Sequence, residues 1–205
     1  MKVTVFGATT ATGRAIAEAA LDAGHAVTVL AQEPQEFPLD AERLRVLEGD
    51  VFDIPTVETA IRGADAVCTA FDEPLDQLPG TDLGDAMENV LDVLSRFQTS
   101  RIVVVTAPNG TAEKPGLRAR LTNLVGNHER AATEDDQEAL VRASTADWTI
   151  VRPTGLTDGP ATGDYRVEID EDAESGSLSR ADLARFVVDH LDADAYRHQV
   201  VTVAG

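Results

Sequence analysis

The sequence predicts an α/β domain in which a doubly wound parallel sheet lies between two layers of helices. Three observations lead there. Short β-branched runs alternate with helical stretches almost throughout. The first run ends on a glycine loop that opens a helix. The fifth run is apolar enough to be covered on both faces. At 205 residues the chain suits one core. No linker, low-complexity tract or internal repeat divides it, so a single domain over 1–205 is expected, with a small extension over about 154–178.

KVTVF at 2–6 is short, β-branched and bounded by Gly7, which reads as a buried strand. Residues 12–23 carry Ile16, Ala19, Ala20 and Leu21 at helical spacing and stop at Gly24. AVTVL at 26–30 is the second strand, and the acidic, proline-bearing stretch 33–42 reads as loop or a short irregular turn. LRVLEG at 44–49 is the third strand, followed by a helix over 55–62 with Pro55 in its first turn. DAVCTAF at 65–71 and RIVVVTA at 101–107 are the fourth and fifth strands, flanking a helix over 82–97. Residues 117–144 read as helical, with a break near Gly126. DWTIVRP at 147–153 is the sixth strand, YRVEI a short one, and VVTVA at 200–204 closes the sheet. Before that last strand, Ser179 opens a helix with Asp182 three residues on, a capping arrangement.

The charge balance narrows the partners. There are 36 acids against 17 bases, a formal net charge of -19, and Lys2 and Lys114 are the only lysines. Such a surface repels phosphate backbones and anionic membranes, which excludes nucleic acid and membrane surfaces as partners. The acid excess and scarcity of lysine favour a protein from a salt-rich cytoplasm over an ordinary acidic one. Cys68 stands alone within an apolar run, so it is expected to be a buried thiol in a reduced compartment. No run is long enough to span a membrane. A cytoplasmic protein with a small-molecule substrate is expected; nothing in the sequence speaks to oligomeric state.

GATTATG at 7–13 is where chemistry begins. Gly7 permits the tight turn out of the strand, Gly13 lets the helix pack close to the sheet, and the amides of the opening helix face an anion, normally a pyrophosphate. The loop residues Thr9, Thr10, Ala11 and Thr12 complete the cradle. Thr10 occupies the middle position where glycine is usual. It either narrows the cradle or donates its hydroxyl to a phosphate oxygen. At the end of the second strand, Gln32 and Glu33 stand where an adenosine ribose is read. Glu33 suits a 2′-hydroxyl and repels a 2′-phosphate, which favours NAD weakly over NADP; a solvated turn carboxylate is the alternative. Arg14 is the only nearby cation able to reach a 2′-phosphate. Asp50 and Val51 follow the third strand, where Asp50 either meets the adenine edge or caps a turn.

TVFGATTATGRAI, TVLAQEP, EGDVFD, GADAV, DWTIVRPTGLTD with GDYRV, and SRADLARFVVDHL run through the chain in that order. Together they resemble the atypical short-chain dehydrogenase/reductase proteins, in particular the NmrA-like and biliverdin IXβ (flavin) reductase-like NAD(P)-binding group. The resemblance implies a three-layer Rossmann-like fold with the cofactor across the carboxyl ends of the strands. It implies that Thr69, Ala70 and Phe71 run beside the pyrophosphate and ribose. By the same resemblance Thr106 and Ala107 lie near the nicotinamide, and Pro153, Thr154 and Gly155 line its amide side. The sequence departs from the group at Thr10, at Gln32 where NADP-preferring relatives tend to carry Arg, and at Ala107 where many have Ser.

The Tyr-x-x-x-Lys pair of the wider superfamily is absent, because neither Tyr165 nor Tyr196 has a lysine four residues on. His128, Glu129, Glu134 and Glu138 occupy the helical stretch instead. His128 reads as a solvated helix histidine, and Glu134 and Glu138 share a face that a charged outer surface explains equally well. His25, His190 and His198 sit at element edges, and no residue cluster has metal-ligand spacing. No catalytic residue is assigned. Two functions fit: a reductase of a conjugated acceptor such as a flavin or quinone, for which orientation over a nicotinamide suffices, or a non-catalytic sensor of the dinucleotide. The salt-rich reading predicts that the melting temperature rises between low salt and several molar KCl; a flat or falling trend overturns it.

Overall fold

The structure, a computed structural model, describes residues 1–71, 83–97, 99–106, 134–169 and 176–205, without the side chains of 134–136. Eight strands form one sheet in the order β3-β2-β1-β4-β5-β6-β10-β8. They are β1 (Lys2–Phe6), β2 (Ala26–Ala31), β3 (Leu44–Glu48), β4 (Ala66–Ala70), β5 (Arg101–Val105), β6 (Asp147–Pro153), β8 (Arg166–Ile169) and β10 (Gln199–Ala204). All neighbours pair parallel except β8, which runs antiparallel to β10 at the edge. The doubly wound sheet is therefore mostly parallel, and the short YRVEI strand is its antiparallel border. A two-residue parallel pair, β7 (Leu156–Thr157) with β9 (Leu178–Ser179), was not foreseen. Two residues carry no periodicity to read.

Helices α1 (Ala11–Asp22) and α5 (Arg180–Asp189) pack together on one face, over Val3, Val5, Val29, Val103 and Val201. Helices α2 (Ile54–Ile61), α3 (Leu83–Arg96) and α4 (Glu134–Ala143) cover the other, over Phe6, Val67, Ile102, Val104 and Ile150. Strand alternation sends successive side chains to the two faces, which is why β4 and β5 are buried at every position. Cys68 is fully buried in the first layer, where burial pushes its thiol up to about 12, as suits an inert packing group. Of the predicted helix over 117–144, the part up to residue 133 lies outside the described residues.

Two polar knots fasten α5. At its C-terminus the buried Arg101 guanidinium donates to the carbonyls of His190 (2.8 Å) and Leu191 (3.1 Å) and to Asp147 O (3.0 Å) and Thr149 Oγ1 (2.9 Å). A cation there also meets the negative end of the helix. At its N-terminus Ser179 caps the helix, accepting from Asp182 N at 3.0 Å and donating to the Asp182 carboxylate at 2.8 Å. That carboxylate also accepts from Thr162 N, Thr162 Oγ1 and Gly163 N at 2.8–3.0 Å, pinning the 158–165 loop onto the helix.

Asp182 is 2% exposed. Burial pushes its pKa up, but the bonds from Gly163, Thr162 and Ser179 outweigh that and hold the carboxyl below the ordinary carboxylate range. Its stabilisation is therefore complete above the unfolded value of about 3.9 and is lost as pH falls through the lower folded value. D182N is expected to cost roughly 2–3 kcal/mol at neutral pH. It should also flatten the loss of stability below about pH 4, as read from denaturant midpoints across pH.

Candidate functional site

Sheet order reverses direction between β1 and β4, and ligands of open α/β sheets bind outside the carboxyl ends at such a point. Two glycines shape the chain there. Gly7 adopts φ +81°, and a Cβ on it would overlap the carbonyl of Ala70 at the end of β4. A Cβ on Gly13 would overlap the carbonyl of Gly7. Both glycines are thus demanded by backbone packing before any ligand is considered.

Thr10 is the N-cap of α1. Its Oγ1 accepts from Gly13 N at 3.0 Å and donates to Ala70 O at 3.3 Å. The hydroxyl has one proton, and that proton is spent on β4. Of the two roles open to Thr10, donation to a phosphate would require breaking this bond. Capping also withdraws the Gly13 amide, leaving those of Ala11 and Thr12 as first-turn donors without intrahelical partners.

Beside this loop opens a cleft of about 590 Å³, within the range of small-molecule sites. Gly7, Thr9, Thr10, Gln32, Glu33, Asp50, Val51 and Phe71 all line it, as does Arg14. The ends of β1, β2 and β3 bring these dispersed segments together. Glu33 is exposed on its rim. Asp50 Oδ1 accepts from Phe52 N (2.8 Å) and Asp53 N (3.2 Å), so the turn-capping role is present while the residue still lines the cleft. Phe37, Pro38 and Phe52 form further apolar wall, and Glu36 adds a third carboxylate. The first two sit in the acidic stretch that read as loop; an apolar pair amid acids was the one signal for them.

The remaining predicted residues lie elsewhere along the carboxyl edge. Ala11 is exposed on the first turn of α1, where Thr12 and Gly13 are buried. Thr69 and Ala70 are buried in β4, and the Thr69 hydroxyl has no hydrogen-bond partner among the described residues. Thr106 follows directly on β5 at 4% exposure. Pro153 and Thr154 are buried at the end of β6, and Gly155 is exposed and set against the Gly176 backbone. Ala107, His128 and Glu129 lie outside the described residues, as does the side chain of Glu134.

Glu138 corrects the outer-face reading. It is 6% exposed and held bidentate by Arg152, with Nε–Oε1 at 2.8 Å and Nη2–Oε2 at 2.6 Å. A helical i,i+4 spacing to Glu134 cannot distinguish an outer face from one turned onto a strand arginine. The three described histidines have structural partners: His25 with the N-terminal amine, His190 against Phe186, and His198 against Trp148.

T10V keeps the shape of the side chain and removes both bonds. It is expected to cost about 1–2 kcal/mol of stability while leaving dinucleotide affinity within about threefold; loss of affinity without loss of stability would mean that the hydroxyl serves the ligand instead.

Comparison with known proteins agrees with this geometry. Residues 7–194 match the family described as NAD(P)H-binding. An uncharacterized chloroplastic protein of Arabidopsis thaliana is 28% identical over 98% of this chain and 76% of its own length. A (4-alkanoyl-5-oxo-2,5-dihydrofuran-3-yl)methyl phosphate reductase of Streptomyces griseus is 28% identical over 74% of this chain, but over only 46% of its own length. Among solved structures, a short-chain dehydrogenase/reductase of Veillonella parvula in complex with NADP superposes with a TM-score of 0.78 at 20% identity, covering 100% of this chain and 94% of that one. The anaerobillin reductase ChuY of Escherichia coli O157:H7 does so with a TM-score of 0.76 at 24% identity, covering 100% and 97%. The chain belongs to the NAD(P)H-binding family and has a Rossmann-like fold.

Proposed function

We propose that the protein is an NAD(P)H-dependent reductase of a small conjugated acceptor, a flavin, quinone or similar molecule, that works without a tyrosine–lysine pair. The observation that carries this is a cleft at the switch point, floored by the glycine loop and the first turn of α1, in a chain that contains no Tyr-x-x-x-Lys. Bound dihydronicotinamide supplies a hydride. The chain's own task is to hold and orient. The Ala11 and Thr12 amides and the positive end of α1 take the pyrophosphate. Gln32 and Glu33 face the adenosine ribose. Phe37, Pro38, Val51 and Phe52 give the adenine an apolar wall. Thr106 and Pro153 stand at the hydride end. A conjugated acceptor delocalises the negative charge that hydride addition creates, so solvent can supply the proton and no side-chain acid is required.

NAD is the favoured partner. The Glu33 carboxylate lines the cleft and has no hydrogen-bond or ion-pair partner among the described residues, which leaves it for a ribose 2′-hydroxyl and against a 2′-phosphate. Arg14, which lines the same cleft, works the other way, and the preference is accordingly modest.

Titration with NADH and NADPH, followed by calorimetry, is expected to give tighter binding of NADH by about tenfold, a margin that E33Q should shrink. Oxidation of NADH is expected with at least one member of a panel of flavins, quinones and carbonyl compounds. Binding without turnover across that panel would remove the reductase and leave the dinucleotide sensor.

A further inference from the structure

A bidentate ion pair at the carboxyl edge, Arg152 with Glu138, lies outside the lining of the cleft just described. Ala70 pairs with Val105 and Val105 with Val151, so the next residues along, Phe71, Thr106 and Arg152, form one lateral row. Alternation sends all three to the face covered by α3 and α4. Phe71 lines the cleft, so the row leads from that cleft along the sheet edge. From α4, Glu138 reaches down onto the row. It takes two bonds from Arg152 and lies 3.6 Å from Arg142 Nη2, and Thr106 Oγ1 lies 3.4 Å from its Oε1.

The chemistry of these groups fixes a direction. A carboxylate held bidentate by a guanidinium offers lone pairs and no proton. The Thr106 hydroxyl has one proton, and Glu138 is its acceptor in the structure, at the long end of hydrogen-bond distance. What remains to Thr106 is its lone pairs. A freely rotating hydroxyl can give or accept; this one is turned into an acceptor.

A dinucleotide whose pyrophosphate sits at α1 and whose adenosine half lies over β2 and β3 extends its other half over β4, β5 and β6. We infer that Glu138 and Arg152 are positioning residues that fix the Thr106 hydroxyl as a hydrogen-bond acceptor for an N–H donor on that half, the nicotinamide carboxamide. The inference rests on the dinucleotide reading of the cleft. It does not need turnover.

The probes are NAD⁺ and its 3-acetylpyridine analogue, in which an acetyl group replaces the carboxamide and no N–H is present. Calorimetry on the full chain is expected to show NAD⁺ bound about tenfold more tightly than the analogue. T106S should keep that ratio. T106V should bring it close to one. So should the double variant E138L/R152M, which removes the pair without leaving a buried charge alone, a replacement that buried ion pairs often tolerate. Thermal melts report the folded state of each variant separately. A purely structural role would lower the melting temperature or weaken both dinucleotides together, leaving the ratio unchanged, and that result overturns the inference. Loss of the ratio in T106V with its retention in E138L/R152M overturns the positioning role of Glu138. Failure of the wild type to bind either dinucleotide overturns the inference together with the reading of the cleft, and is recognised by the absence of any heat of binding.

Discussion

The close approach of Gly7 to the end of β4 governs this molecule. A side chain at Gly7 would collide with the Ala70 carbonyl, and one at Gly13 would collide with Gly7 itself. These contacts set where α1 begins and how near it lies to the sheet. Thr10 then ties the same three points together, bonding Gly13 N on one side and Ala70 O on the other. The result is a loop held in shape by the chain's own contacts.

The two ends of the sheet use arginine differently. At the amino end Arg101 is surrounded by carbonyls and a hydroxyl, and it joins β5, β6 and the C-terminus of α5. Burial pulls its pKa down, although four bonds hold the guanidinium in place. At the carboxyl end Arg152 meets a buried carboxylate from the opposing helix. A buried ion pair contributes little net stability once desolvation is counted, so its cost is easier to understand where polar groups are needed. That is the edge on which ligands of this fold bind.

The cleft shares the acidic charge of the chain as a whole. The surface carries a formal net charge of -19, and the cleft itself presents Glu33, Glu36 and Asp50 against Arg14. An anionic ligand in this cleft would meet a field that opposes it. Backbone amides at α1, which carry no titratable charge and no counterion, are the donors best placed to compensate. Asp50 softens the opposition, since one of its oxygens is already turned to the amides of Phe52 and Asp53.

Periodicity and punctuation in the sequence were enough for the strand and helix order, because buried parallel strands must be apolar on both faces and Gly7, Pro55 and Ser179 mark element ends by local backbone rules. The glycine loop, Gln32, Glu33 and Asp50 were legible for the same reason: each sits at a fixed place after a strand. The two-residue β7 and β9 were not, having too few residues to show a period. Nor were the roles of Thr10 and Glu138. Sequence offered Thr10 either a phosphate or a narrowed cradle, and Glu138 either a place in the chemistry or a charged outer face. Only the approach of β4 to the loop and of β6 to α4 decided them, because a hydroxyl or carboxylate bonds whatever lies within about 3 Å, and for these two residues that neighbour is 60 or 14 positions away along the chain.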